Sequence, residues 1–190
     1  MLIPDLLEKW DKTLRELEEA FGVYDLPYVH GERTNIGILA SAATKLGYLT
    51  LEEYSAEKRR QRKWKSWRAD IYICSKDGQQ EFNIEGKYDT VSFNTHRLVQ
   101  KLSRLLDEAA KDVLKLRPYE GVNRLGVVFL RPYGARPGPN FDPTPFWTDL
   151  LNRASYGGDF CAFHLCKHEI WSKQEGHIGC PGIAIVGKYA

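Results

Sequence analysis

The chain has 190 residues, 27 of them Lys or Arg and 25 Asp or Glu, and 43% are hydrophobic. That balance suits a folded domain with a real core and excludes a disordered or low-complexity chain. Four cysteines at this length exclude a disulfide scaffold as the organising principle. Met1 to Trp10 carries Asp5, Glu8 and Lys9 where a secretory signal needs an unbroken apolar core, and no apolar run is long enough to cross a bilayer. The expected location is therefore intracellular, in the cytoplasm.

Ile3, Leu7, Trp10, Leu14, Leu17 and Phe21 recur at alternating steps of four and three, which predicts an amphipathic helix over 4–21 that ends at Gly22. A second helix is expected over 32–47, with Ile36, Leu39, Ala40 and Ala43 on one stripe and many small residues. Glu32 precedes Ile36 by one turn and so falls on the inward stripe. Position alone leaves two roles open for it: a carboxylate aimed at a site, or a helix N-terminal charge favoured by the dipole. Residues 48–67 show a weak pattern, part of it an edge strand, and the segment Glu57 to Arg68 is strongly basic.

Arg68–Cys74 and Glu81–Tyr88 alternate as strands around Asp77-Gly78, a hairpin signal. A long helix over 92–116 and a buried strand over 124–130 follow. After them come a proline-rich loop over 132–145, a short helix over 144–154 and strands over 159–167 and 182–189. The fold class expected is α/β, more closely an α+β mixed sheet with helices packed on it. All 190 residues read as one domain: an N-terminal helix within 1–29, a core over 30–131 and a C-terminal extension over 132–190.

A two-residue Asp77-Gly78 turn sets the hairpin register. It pairs Lys76 with Gln79, Ile73 with Phe82, Ile71 with Ile84 and Asp70 with Glu85. Ile71, Ile73, Phe82 and Ile84 then share an apolar face, and Asp70, Glu85 and Lys87 share the other. Two opposed carboxylates repel, and a hard divalent cation such as Mg²⁺ or Mn²⁺ resolves the repulsion through oxygen ligands. A lysine on the same face suits orientation of a water and stabilisation of phosphate charge, which points to phosphodiester hydrolysis. The competing reading is a surface hairpin with ordinary salt bridges.

Asp70, fourteen residues, then Glu85-Gly86-Lys87 resembles the Asp…(Asp/Glu)-x-Lys signature of the PD-(D/E)XK nuclease superfamily, which includes restriction endonucleases and repair nucleases. The resemblance covers roughly residues 30–131 and takes in the upstream glutamate helix, the long helix and the strand after it. Ala69 stands where the signature often has proline. The likeness implies a restriction-endonuclease-like core in which Asp70, Glu85 and the carbonyl of Gly86 bind the metal. It also implies Glu32 in or beside the metal shell, Lys87 as the catalytic lysine, and Gln100 as a neighbour in some members. An exposed helix glutamine is the preferred reading of Gln100.

DNA is the expected partner through Arg59, Arg60, Arg62, Lys63, Lys65 and Arg68, with Trp64 and Trp67 suited to stacking on bases. RNA remains an alternative substrate, and a double-strand cut by one site per chain favours a homodimer. Two further function classes compete: a DNA-binding or protein-interaction module that keeps the fold without cutting, and a zinc-bound adaptor. The adaptor rests on Cys161-x-x-His164 and His177-x-x-Cys180, with twelve residues between the pairs and Cys166 and His168 nearby. Residues 160–166 also read as a strand with buried thiols, and that reading is preferred over a structural zinc. His30 reads as a loop residue and His96 as helix surface.

Overall fold

A computed structural model describes residues 3–22, 26–60, 63–92, 98–119, 121–133, 144–154, 157–166 and 182–190. Helix α1 is Ile3–Phe21, and a single 3-10 turn at Pro27–His30 leads into α2, Glu32–Lys45. Strands β1, Leu49–Arg60, β2, Lys63–Cys74, and β3, Glu81–Ser92, follow. Then come α3, Leu98–Leu114, β4, Val122–Tyr133, α4, Thr144–Ala154, β5, Phe160–Leu165, and β6, Gly182–Tyr189. The strands form one six-stranded mixed sheet in the order β1-β2-β3-β4-β6-β5, with β3 and β4 parallel. No helix among the described residues is long and apolar enough to cross a membrane.

Two apolar layers explain why these segments fold as they do. On one face, Trp10 and Leu14 of α1 and Ile36 and Leu39 of α2 pack on Ile71, Ile84, Val127 and Ile185. On the other, Leu102 and Leu106 of α3 and Trp147 of α4 pack on Val128, Leu130 and Val186. Leu125 to Leu130 is buried at every position because β4 is covered on both faces, so its sequence is continuously apolar rather than alternating. Gly126 lets α3 lie flat on β4: a Cβ there would stand 2.5 Å from the backbone nitrogen of Ala110.

The expected hairpin register holds, with Ile71 opposite Ile84 and Ile73 opposite Phe82. The turn differs from expectation. Ser75 and Gln80 close a four-residue loop, and the Gly78 N–H donates to the Ser75 carbonyl at 2.9 Å. Compared with the expected two-residue turn, one residue at each strand end is spent on the loop, which leaves the register unchanged.

The larger correction concerns residues 48–67. The edge strand expected for part of them is β1, but it runs for twelve residues, and β2 begins at Lys63 rather than Arg68. Helix α2 stops at Lys45, two residues short of the expected end, and β3 and β4 run past the expected 88 and 130. The start of the long helix expected over 92–97 lies partly outside the described residues.

The β1–β2 ribbon bends at Glu53, which has φ 44 and is the one non-glycine residue at positive φ among the described residues. Below the bend, β1 and β2 continue the main sheet. Above it, the ribbon packs over the end of α3. Tyr54, Ala56 and Ala69 meet Val113 and Leu116, and the Arg117 N–H donates to the Glu57 carbonyl at 2.7 Å.

Candidate active site

Strand β2 is paired with β3 only from Ile71 to Cys74, whereas β3 continues to Ser92 beside β4. Beyond Ile84, one edge of β3 has therefore lost its neighbour, and its backbone groups need other partners. Carboxylates supply them. The Gly86 N–H donates to Asp70 Oδ2 at 2.7 Å, and Glu32 accepts a backbone hydrogen bond from Tyr88. Asp70 and Glu85 are thus not a regular cross-strand pair as expected. The ribbon's bend has removed Asp70 from the ladder and turned its side chain onto the next residue of β3. In an extended strand the N–H and C=O of one residue face the same edge, so the Gly86 carbonyl also looks toward Asp70.

Gly86 places Glu32. A Cβ at Gly86 would stand 2.8 Å from Ile36 Cδ1, so the missing side chain lets α2 settle on β3. Glu32, one turn before Ile36, then overhangs the next N–H along the same edge. Burial raises its pKa, opposed by the charge of Lys87, with Asp70 adding to the rise. The dipole-favoured first-turn position and the inward-facing position turn out to be the same place.

Glu85 is 3% exposed. Burial first, and the neighbouring charge of Asp70 second, push its carboxyl up to about 7, against the pull of Lys58. Lys58 Nζ lies 2.6 Å from Glu85 Oε1, and its hydrogen bond and charge oppose the rise without cancelling it. Beside it, Tyr54 donates its hydroxyl to Asn83 Oδ1, and burial and then the Glu85 charge hold Tyr54 neutral well above its usual range.

Lys87 projects toward α3, where its Nζ meets Asp112 Oδ2 at 2.8 Å. Burial alone would lower the Lys87 pKa. The hydrogen bond that Lys87 donates to Asp112, with the charges of Asp112, Glu32 and Asp70, outweighs burial and raises it. The ammonium is therefore charged at neutral pH.

The structure brings Glu32, Asp70, Glu85, Gly86 and Lys87 to one strand edge. It does not gather the carboxylates into a closed cage: among the described residues no three His, Cys, Asp or Glu side chains lie close enough together to hold a metal ion. The donor set nevertheless suits a hard divalent cation. It is all oxygen, and its most buried member has an elevated pKa.

Lys58, Asp112 and Tyr54 were not expected in the site. Lys58 belongs to the basic run, but Tyr54, Ala56 and Lys58 alternate on β1, and that period of two was the available signal. Asp112 sits next to Val113 on the inward stripe of α3.

Of the residues expected to contact DNA, Arg68 is exposed and paired with Glu53 at 2.9 Å. Arg59 and Arg60 end β1, and Lys63 and Lys65 open β2. Their side chains, and those of Trp64 and Trp67, lie outside the description, as does Arg62. Gln100 is an exposed residue of α3. His96 lies outside the described residues, and His30 closes the 3-10 turn.

The zinc constellation does not assemble from its first pair. On β5, Cys161 packs toward the α3–α4 layer, whereas His164 is fully buried on the opposite side against α1. Its Nδ1 lies 2.7 Å from Asp11 Oδ1 and its Nε2 lies 2.8 Å from Glu18 Oε1, so both ring nitrogens are engaged. His168, His177 and Cys180 lie outside the described residues. Cys166 packs against the α1–α2 layer.

The sequence matches no protein-family model and no curated protein, and the fold matches no solved structure. The functional reading therefore rests on these residues.

Proposed function

We propose that this chain is a divalent-cation-dependent nuclease that hydrolyses DNA phosphodiester bonds, with a PD-(D/E)XK-type site at the open edge of β3. The observation that carries the reading is Glu85, a carboxylate buried beside Asp70, whose burial and neighbouring charge raise its pKa in spite of Lys58. Burying like charges together costs stability, and a cation placed between them relieves the cost. Asp70, Glu85 and the Gly86 carbonyl would hold Mg²⁺ or Mn²⁺, and Glu32 would support it from α2. When bound, the cation supplies Lewis-acid polarisation of a phosphate oxygen.

The protein's own groups do the rest. Lys87, held as an ammonium by Asp112, positions the attacking water and offsets charge developing on the phosphate. Asp70 keeps β3 fixed through the Gly86 N–H while its second oxygen faces the site. The basic end of the β1–β2 ribbon carries the nucleic acid past this edge.

A second reading has its own observation. Lys58 on Glu85 and Asp112 on Lys87 leave the site internally neutralised, as suits a module that binds DNA without cutting it. Plasmid nicking with Mg²⁺ separates the two. Wild type should nick, and Asp70→Ala and Lys87→Ala should each lose at least about 100-fold. Equal nicking by all three proteins, or none by any, would leave only the binding module.

A further inference from the structure

Between the bent ribbon and the α3–β4 connection lies a groove of about 440 Å³. Tyr54, Tyr72 and Tyr119 line it with rings, Leu51 and Leu116 with aliphatic surface, and Asn83 with an amide. It opens beside the carboxylates: Asn83 precedes Glu85 by two residues on the same face of β3, about 7 Å along the strand. The ring centres of Tyr54 and Tyr72 are 6.0 Å apart.

The groove's chemistry is unlike that of the basic ribbon end. Among the described residues its one lining cation, Arg117, is tied to Glu57 at 2.6 Å, and Glu81 contributes a further carboxylate. A phosphate would be repelled there. A neutral flat ligand with polar edges would not: its faces meet tyrosine rings, and its edges meet the Asn83 amide and the Glu81 carboxylate, each of which also accepts a tyrosine hydroxyl, from Tyr54 and Tyr72 respectively. Leu51 and Tyr119, 57% and 60% exposed, leave apolar lining bare to solvent in the free chain.

We infer that this groove receives an unpaired nucleobase of the strand whose phosphate lies at Asp70 and Glu85. One nucleotide of backbone spans the distance between the two places. A base inside a duplex keeps its faces covered by its neighbours, so the groove selects a nucleotide that is single-stranded or already extrahelical. The inference rests on the nuclease reading for the position of the phosphate, and it narrows the substrate to DNA with an unpaired base at the cut.

The test is a titration of the full chain, in EDTA so that nothing is cut, against a single-stranded oligodeoxynucleotide carrying 2-aminopurine and against the same probe annealed to its complement. Wild type should quench the single strand saturably and bind it more tightly than the duplex. Tyr119→Ala should weaken that binding roughly 10-fold, and Tyr119→Phe, which keeps the ring, should bind as wild type does. Tyr119 is exposed, so its loss leaves the core untouched. Equal affinity of wild type and Tyr119→Ala, or of single strand and duplex, overturns the inference, and plasmid nicking lost in Asp70→Ala would then leave the nuclease reading standing. Tyr119-dependent quenching with no nicking by wild type would do the reverse, keeping the groove and removing the catalysis.

Discussion

Two clusters of buried charge sit on opposite faces of this sheet, and they are built on opposite principles. The His164 cluster is closed. Its imidazole is fully buried, each ring nitrogen has a carboxylate, Tyr28 adds its hydroxyl to Glu18 at 3.3 Å, and Arg15 holds Asp11 from outside at 2.9 Å. The Glu85 cluster is open. Lys58 reaches Glu85 from β1, Lys87 is drawn away to Asp112 on α3, and Glu85 stays buried beside the charge of Asp70. Complete satisfaction is what a tether needs, because every group left over in an apolar interior costs stability. Incomplete satisfaction is tolerated where something else arrives to finish it. The first cluster pins α1 to β5, and the second is where the proposed cation would bind.

The clusters also differ in how they answer to pH. Burial pulls the His164 pKa down, but the Asp11 and Glu18 partners outweigh it and raise it. That stabilisation is fully present below the unfolded value near 6.5 and is lost as pH rises through the folded value. Glu85 runs from 4.5 in the unfolded chain to about 7 when folded. Between those values the native state holds a proton that the unfolded state has released, so stability again falls as pH rises. One cluster loses a favourable charge, and the other acquires an unfavourable one.

Substitution separates them. His164→Gln should cost about 3–5 kcal/mol in urea denaturation near pH 6, because it strands two carboxylates in the interior. A loss below about 1 kcal/mol would mean that the cluster is not a tether. Lys58→Met should cost about 1–3 kcal/mol at pH 8, where Glu85 is ionised, and much less at pH 5, where it is protonated. A cost independent of pH would show that Lys58 acts by packing rather than by its charge on Glu85. Smallest is Glu53→Gly, which relieves a left-handed glutamate at the bend. It should gain up to about 1 kcal/mol, since the exposed pairs with Arg33 and Arg68 contribute little. Measured destabilisation there would show that those pairs hold the ribbon in place.

Much of this was legible in the chain. The apolar alternation around Asp77-Gly78 set the register, and it survived a wrong turn length because lengthening the loop equally on both sides moves no pair. The stripe on α2 carried Glu32 to the right edge of β3. The bend was not legible: Glu53 is an ordinary residue in a charged stretch, and its φ is imposed by the packing of Tyr54 and Ala56 on α3. Lys58 was hidden for the same reason. Its role depends on contacts with residues nearly thirty positions away, and a basic run looks the same whether one member turns inward or all face solvent. The strand over 160–166, with Cys161 and His164 on opposite faces, was legible, but nothing in the chain signalled that Asp11 and Glu18 would close on the His164 ring.

The bend at Glu53 has a last consequence, for solubility. A twelve-residue strand at the rim of a sheet is an invitation to a second molecule to pair with it, and long flat rims are where β-proteins aggregate. Here the rim is broken into two short pieces that point in different directions. The upper piece is held against the end of α3, where Lys58 bridges to Leu116 and the Glu57 carbonyl accepts the Arg117 N–H. Only Leu49 to Glu52, with two exposed leucines, remains straight enough to recruit a neighbour, and that stretch is too short to template a long ladder.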